Sequence, residues 1–203
     1  MEQPAMIRQM ETPKLVLASQ SPRRRELLSL LAIPFTTLAV NTDETFDSRK
    51  TIEENVREIA MQKAEAAGKV YKGSQPAVFI GADTVVVQEE SVLGKPSTYD
   101  EAFRMLQNLQ NATHKVHTGF AVVSDSHRHC ECVTTSVTFE PMDDREIERY
   151  LEKMKPYDKA GSYGIQDPIM ACYVRRIDGC YYNVVGLPVS RLCHAMKTFI
   201  PGL

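Results

Sequence analysis

Two rhythms of apolar and polar positions run along this chain. KLVLA (Lys14–Ala18), FTTLAV (Phe35–Val40) and AVFIGADTVVVQ (Ala77–Gln88) are apolar runs of strand length. The EES turn and VLGKP (Val92–Pro96) after the third run predict a hairpin partner for it. KVHTGFAVVS and CVTTSVTF are β-rich and flank the polar segment SHRHCEC, which predicts a second hairpin with that segment at its tip. CYVRRID and CYYNVV, joined by Asp178-Gly179, predict a third. Helical spacing occupies the intervals. Pro22 followed by Leu27, Leu28 and Leu31 predicts a helix from Arg23 to about Leu31. The pairs Thr51/Glu54, Thr98/Glu101 and Asp143/Glu146 have capping-box spacing and predict three more helix starts. Pro188 opens a last helix with Leu192, Met196 and Phe199 on one face. Strand–helix units thus mix with hairpins, and the expected class is α/β: a mixed twisted sheet with flanking helices.

Composition narrows the picture. At 203 residues the chain can form one sizeable domain or two small lobes. With no linker or low-complexity tract in view, residues 14–203 are expected to form a single domain behind a flexible tail, 1–13. A net charge of −2 offers no global field for nucleic acid or a membrane surface, so any anion site must be a local cluster. No apolar run reaches membrane-span length, and the tail contains Glu2 and Glu11 without an apolar stretch. The expected location is the cytoplasm. The five cysteines lack framework spacing and are expected to be free thiols. Cys130 and Cys132 have Cys-x-Cys rather than Cys-x2-Cys spacing, which disfavours zinc; Cys172, Cys180 and Cys193 read as small core residues.

Two stretches depart from a bland reading. ASQSPRRREL (Ala18–Leu27) puts Arg23, Arg24 and Arg25 in the first turn of a helix, where the backbone dipole favours acids. A strand, a tight turn and a helix N-terminus form an anion cradle, with Ser19 and Ser21 offering hydroxyls. A phosphate bound there would make Arg23 and Arg24 favourable. A solvated basic surface is the competing reading, and the one that suits Arg25. In VFIGADTVVV, Asp83 interrupts residues that all favour burial, where an unpaired carboxylate is costly. A metal or cationic partner would remove that cost; a bulge tipping Asp83 into water is the alternative. Gly81 permits close approach of another backbone or a ligand. Glu44, Lys63 and Lys95 add the carboxylate and cations that phosphoryl chemistry uses. His114 and His117 read as structural, and Tyr163 as a loop closer or a surface for a base.

LASQSPRRRELL, Asp43–Glu44, GADTVV, LGKP, DKAGSYGIQ and YYNVVGLP stand in the order and approximate spacing of the Maf family, the septum-formation nucleotide pyrophosphatases. The resemblance spans about residues 14 to 199. It implies an elongated, two-lobed α/β architecture like that of inosine triphosphate pyrophosphatases. It implies hydrolysis of a nucleoside triphosphate to the monophosphate and pyrophosphate with a divalent cation, Mg2+ or Mn2+. By the same resemblance Ser19, Arg23 and Arg24 bind the triphosphate. Glu44, Lys63, Asp83 and Lys95 form the catalytic set, with Asp83 and Glu44 at the metal. Asp83 either takes the proton, binds the metal, or does both. Arg23, Thr84 and Gln166 resemble the positions linked to base choice. KAGSYGIQ resembles the dTTP/UTP branch, and a glutamine amide can match N3–H and O4 of uracil or thymine. Asp167-Pro168 follows where many members have glycine, which stiffens the loop. Methylated or deaminated purine triphosphates, or a nucleotide-sensing regulator of cell division with little turnover, are the alternatives. Family analogy also points to a homodimer, and the acidic balance points away from nucleic acid.

Overall fold

The computed structural model describes residues 12–200 and 202–203; most of the expected tail, 1–11, lies outside them. Seven strands form one mixed sheet in the order β2-β1-β3-β5-β6-β7, with β4 also on β3. They are β1 (Lys14–Leu17), β2 (Phe35–Thr37), β3 (Ala77–Gln88), β4 (Ser91–Leu93), β5 (Thr113–Val123), β6 (Arg128–Phe139) and β7 (Val174–Asp178). β1 runs parallel to β2 and β3; every other pairing is antiparallel. The helices are α1 (Pro22–Ser29), α2 (Ile52–Val70), α3 (Tyr99–Leu109), α4 (Asp144–Met154), α5 (Tyr181–Val185) and α6 (Val189–Met196). The mixed α/β sheet with flanking helices is as expected.

Helix starts follow their capping chemistry. Thr51 and Glu54 close a complete capping box on α2, and Asp143 and Glu146 another on α4. Thr98 caps α3, but Glu101 Oε2 accepts from the Ser97 N–H, so that box is shifted by one residue.

The long central strands carry different cores at their two ends. Leu15, Leu17, Ile80, Phe120 and Val122 pack against α1 and α6. Val86, Val116, Val137 and Phe139 pack against α3 and α4. On the opposite face α2 lies directly on β3 and β5, and glycine makes this possible. A Cβ on Gly81 would stand 2.1 Å from the Ala60 carbonyl oxygen, and one on Gly119 2.2 Å from that of Val56. The close neighbour anticipated at Gly81 is therefore a helix backbone.

Three expectations are corrected. CYYNVV is not a strand: Tyr181–Val185 is α5, and β7 pairs with β6 instead. Aromatic and β-branched residues suggested a strand, but Asn183 Nδ2 donates to the Val116 carbonyl and Thr135 Oγ1, and Gly186 at φ 126° ends the turn. Tertiary hydrogen bonds outweigh local propensity here. The β5–β6 hairpin forms as expected, but its tip is shorter than SHRHCEC: only Ser126 and His127 of that segment lie in the turn, and β6 begins at Arg128. Cys172 is exposed, and Cys180 and Cys193 are half-buried, so none of the three is a core residue. Among the described residues no helix is long and apolar enough to cross a membrane.

Candidate active site

A gap in the sheet creates the site. β1 ends with Leu17 opposite Ile80, and β4 begins only at Leu93 opposite Val86. Between them residues 81–85 of β3 keep β5 on one edge and, among the described residues, have no strand on the other. The Ile80 carbonyl accepts from the Ala18 N–H, so by strand alternation the main-chain groups of Ala82 and Thr84 face the same open edge. A cavity of about 650 Å3 opens there, within the range of about 300–1,000 Å3 usual for ligand pockets. Ser19, Arg23, Arg24, Glu44, Lys63, Asp83, Thr84, Lys95 and Gln166 all line it. These nine residues, to which the family resemblance gives roles, thus reach one cleft.

The centre of the cleft is an ionic triad. Asp83 points to the α2 face of β3, where the close packing at Gly81 sets Lys63 above it. Lys63 Nζ lies 2.8 Å from Asp83 Oδ1 and 2.8 Å from Glu44 Oε1. Lys63 and Asp83 are buried at 8% and 7% exposure, while Glu44 is exposed. Burial is tolerated because the opposite charges meet; removing one partner would strand the other. Asp83 Oδ2 has no hydrogen-bond donor among the described residues and remains open to the cavity.

The first-turn arginines find acceptors in the protein itself. Arg24 Nε donates to the Gly186 carbonyl at 2.9 Å, Nη1 to the Ala82 carbonyl at 2.8 Å and Nη2 to Thr84 Oγ1 at 3.0 Å. Its guanidinium bridges the open edge of β3 to the C-terminus of α5. Burial pushes Arg24 below arginine's ordinary pKa, and the nearby Asp83 opposes that shift. Arg23 Nη1 pairs with Asp158 Oδ2 at 2.5 Å. Burial raises the Asp158 carboxyl, but hydrogen bonds from Arg23 and Lys159 outweigh it, and the net shift is downward. Arg25 is exposed, as a solvated charge would be. Ser21 Oγ caps α1 by accepting from Arg24 N, and Ser19 Oγ accepts from Ser21 N at 3.1 Å.

The far wall comes from residues 158–166. Tyr163 is buried; it packs edge-on against Phe139 and shares a 2.8 Å hydrogen bond with His114 Nε2. Burial lowers His114 to about 4, so its ring is neutral at pH 7. Gln166 stands exposed at the cavity, and its amide has no partner among the described residues. Thr84 Oγ1 is fixed on the sheet side by Thr118 Oγ1 at 3.0 Å as well as by Arg24.

A sequence profile described as Maf-like protein matches residues 14–199. The chain belongs to the Maf family. A relative from Pelodictyon phaeoclathratiforme, named dTTP/UTP pyrophosphatase, is 58% identical over 94% of this chain and 100% of its own length. The dTTP/UTP pyrophosphatase of Chlorobaculum tepidum is 54% identical over 93% of this chain and 96% of its own. That of Bacillus velezensis is 45% identical over 93% and 97%.

Sequence reading missed Asp158, which neutralises Arg23, and the support supplied by Thr118 and Asn183. Asp158 sits beside Lys159 in a polar loop, and nothing in its spacing points to Arg23, 135 residues away. The YYNVVGLP motif was visible, but its role as a buttress for Arg24 and Thr84 depends on a helix that local propensity disguised.

Proposed function

We propose that this Maf protein hydrolyses dTTP and UTP to the monophosphate and pyrophosphate. The observation that carries the reading is the Asp83–Lys63–Glu44 triad, set in one cavity with Arg23, Arg24 and Lys95 where β3 loses its neighbour. The names of the relatives support the same reading.

Lys and Arg side chains on the cavity wall number five, against three carboxylates. That excess of two is smaller than the charge of a triphosphate, and a divalent cation covers the difference. Glu44 and Asp83 suit a hard cation, because Mg2+ is commonly held by one or two carboxylates together with substrate phosphates. When bound, Mg2+ or Mn2+ would withdraw charge from the phosphates. The chain's own residues do the rest. Asp83 Oδ2 accepts a proton from water, which attacks the α-phosphorus in line with the departing pyrophosphate. Lys63 holds Asp83 in place through Oδ1. Lys95 and Arg23 stabilise the charge that grows on the leaving group. Arg24 holds Thr84 and the open strand edge in register. The Gln166 amide, without a partner among the described residues, offers an acceptor for N3–H and a donor for O4 of the pyrimidine ring.

The test is a panel of nucleoside triphosphates with Mg2+ or Mn2+, scored for pyrophosphate. Release from dTTP and UTP, abolished by EDTA, is expected. Orthophosphate alone would place cleavage at the γ-phosphorus and overturn the assignment; release chiefly from purine nucleotides would overturn the base preference.

A further inference from the structure

Gly164, Ile165, Gln166 and Asp167 form a tight turn, closed by the Asp167 N–H donating to the Gly164 carbonyl at 2.9 Å. Gln166 occupies the third position, with its side chain exposed at the cavity. Both ends of this turn are tied to one buried phenol. Tyr150, on α4 and fully buried, accepts from the Gly164 N–H at 3.0 Å and donates to Asp167 Oδ2 at 2.6 Å. Asp167 is itself 7% exposed, and its carboxylate lies across Gly164 so closely that a Cβ there would stand 2.7 Å from Oδ1. Its Oδ2 also lies 3.9 Å from Lys159 Nζ, and its carbonyl accepts from Met170 N. Burial and the neighbouring carboxylate hold the Tyr150 phenol protonated, so it remains a donor.

A phenol bridging both ends of a turn, with the free amide between them, is an arrangement for aiming that amide. We propose that Tyr150 and Asp167 are positioning residues for base recognition. They fix the turn so that Gln166 presents its amide to the pyrimidine, and they take no part in phosphoryl transfer. This rests on the pyrimidine reading of the site above. It also gives a purpose to the Asp167-Pro168 pair: it stiffens the loop that carries the selecting residue. The alternative is a lock that supports only the fold, in which case base choice would be indifferent to it.

Steady-state kinetics with dTTP, UTP and CTP, and inhibition by inorganic pyrophosphate, decide the matter. Asp167→Ala is expected to raise KM for dTTP and UTP about tenfold and to shrink the preference for UTP over CTP about tenfold. The change in kcat should stay within about twofold. The Ki of pyrophosphate, which has no base, should not move. Asp167→Asn keeps an oxygen for Tyr150 and should restore most of the preference. In a Gln166→Ala background Asp167→Ala should change the preference no further, because the amide it aims is already gone. Thermal melting identifies variants that are merely unfolded, and Asp167→Asn keeps the test available if Asp167→Ala is. An unchanged preference in a folded Asp167→Ala protein overturns the inference. So does an equal loss of preference in the Gln166→Ala background, or an altered Ki for pyrophosphate. A wild type indifferent to the base overturns the pyrimidine reading and this inference with it; a selective wild type with additive variants overturns this inference alone.

Discussion

The two ends of the cleft are held by different means. At the proposed phosphate end, charges are bound to charges: Lys63 between Asp83 and Glu44, and Arg23 against Asp158. At the proposed base end, the Tyr150 phenol holds the Asp167 carboxylate and the Gly164 N–H, a neutral imidazole holds Tyr163, and the Gln166 amide has no partner among the described residues. Under the proposed function, the difference follows from what each end would meet. A triphosphate can trade one set of ionic partners for another, so pre-paired charges stay buried without a ligand and still become available to one. A pyrimidine offers only weak, directional hydrogen bonds, so its partner must be aimed in advance, because orientation cannot be recovered from so small a gain.

The sharpest way to break this contrast is at the triad. Asp83→Asn keeps the shape, removes the charge and should lower kcat by roughly 10²–10⁴-fold, with circular dichroism unchanged. A rate near wild type would remove Asp83 from the mechanism.

Next comes the scaffold that brings the ions together. Gly81→Ala forces a Cβ against the Ala60 carbonyl, which lifts α2 and Lys63 from β3. A stability loss of about 1–3 kcal/mol is expected, together with reduced kcat/KM. Gly94→Ala, where a Cβ meets nothing within 4 Å, supplies the control for denaturant unfolding.

The base end should respond to acid instead. His114 titrates near 4 in the folded chain, against about 6.5 when unfolded. A depressed histidine means that the unfolded state binds the extra proton first. Stability is therefore full above about pH 6.5 and falls as the pH drops towards 4, by an amount on the order of 3 kcal/mol. Burial depresses His117 as well, which adds in the same direction. Melting temperature against pH should show this fall, and His114→Gln should flatten it. A wild-type profile flat between pH 6.5 and 4 would contradict the assignment.

The smallest effect is expected outside both ends. Arg25→Gln, on the exposed side of α1, should leave kcat/KM within about twofold and shift Tm by no more than about 2 °C. A large loss of activity would mean that the cleft extends beyond Arg23 and Arg24.

Much of the site was legible before the fold. An acid in a buried-looking strand and arginines at the positive pole of a helix are local contradictions, and such contradictions mark places where something distant must compensate. Asp83 and the arginine turn stand out in that way, and both line the cavity. The compensating groups could not be found so. Arg24 satisfies carbonyls of β3 and α5 rather than lying open as a phosphate clamp, and Asp158 has no local signature at all. Nothing near Tyr150 in the sequence signals its role either: its hydroxyl closes the Gln166 turn through residues 14 and 17 positions away.

The sequence by itself determined where strands and most helices begin, which residues are chemically out of place, and which family motifs the chain carries. These depend on periodicity, capping and side-chain type, all written within a few neighbouring residues. The tertiary structure alone decided that CYYNVV is a helix, that β1 and β4 leave an opening along β3, and which charge answers which. Those outcomes depend on pairings between residues 20 to 162 positions apart, as in Lys63–Asp83 and Arg24–Gly186. Local propensity is worth tenths of a kcal/mol per residue, while a buried polar group left without its distant partner costs about 1–3 kcal/mol.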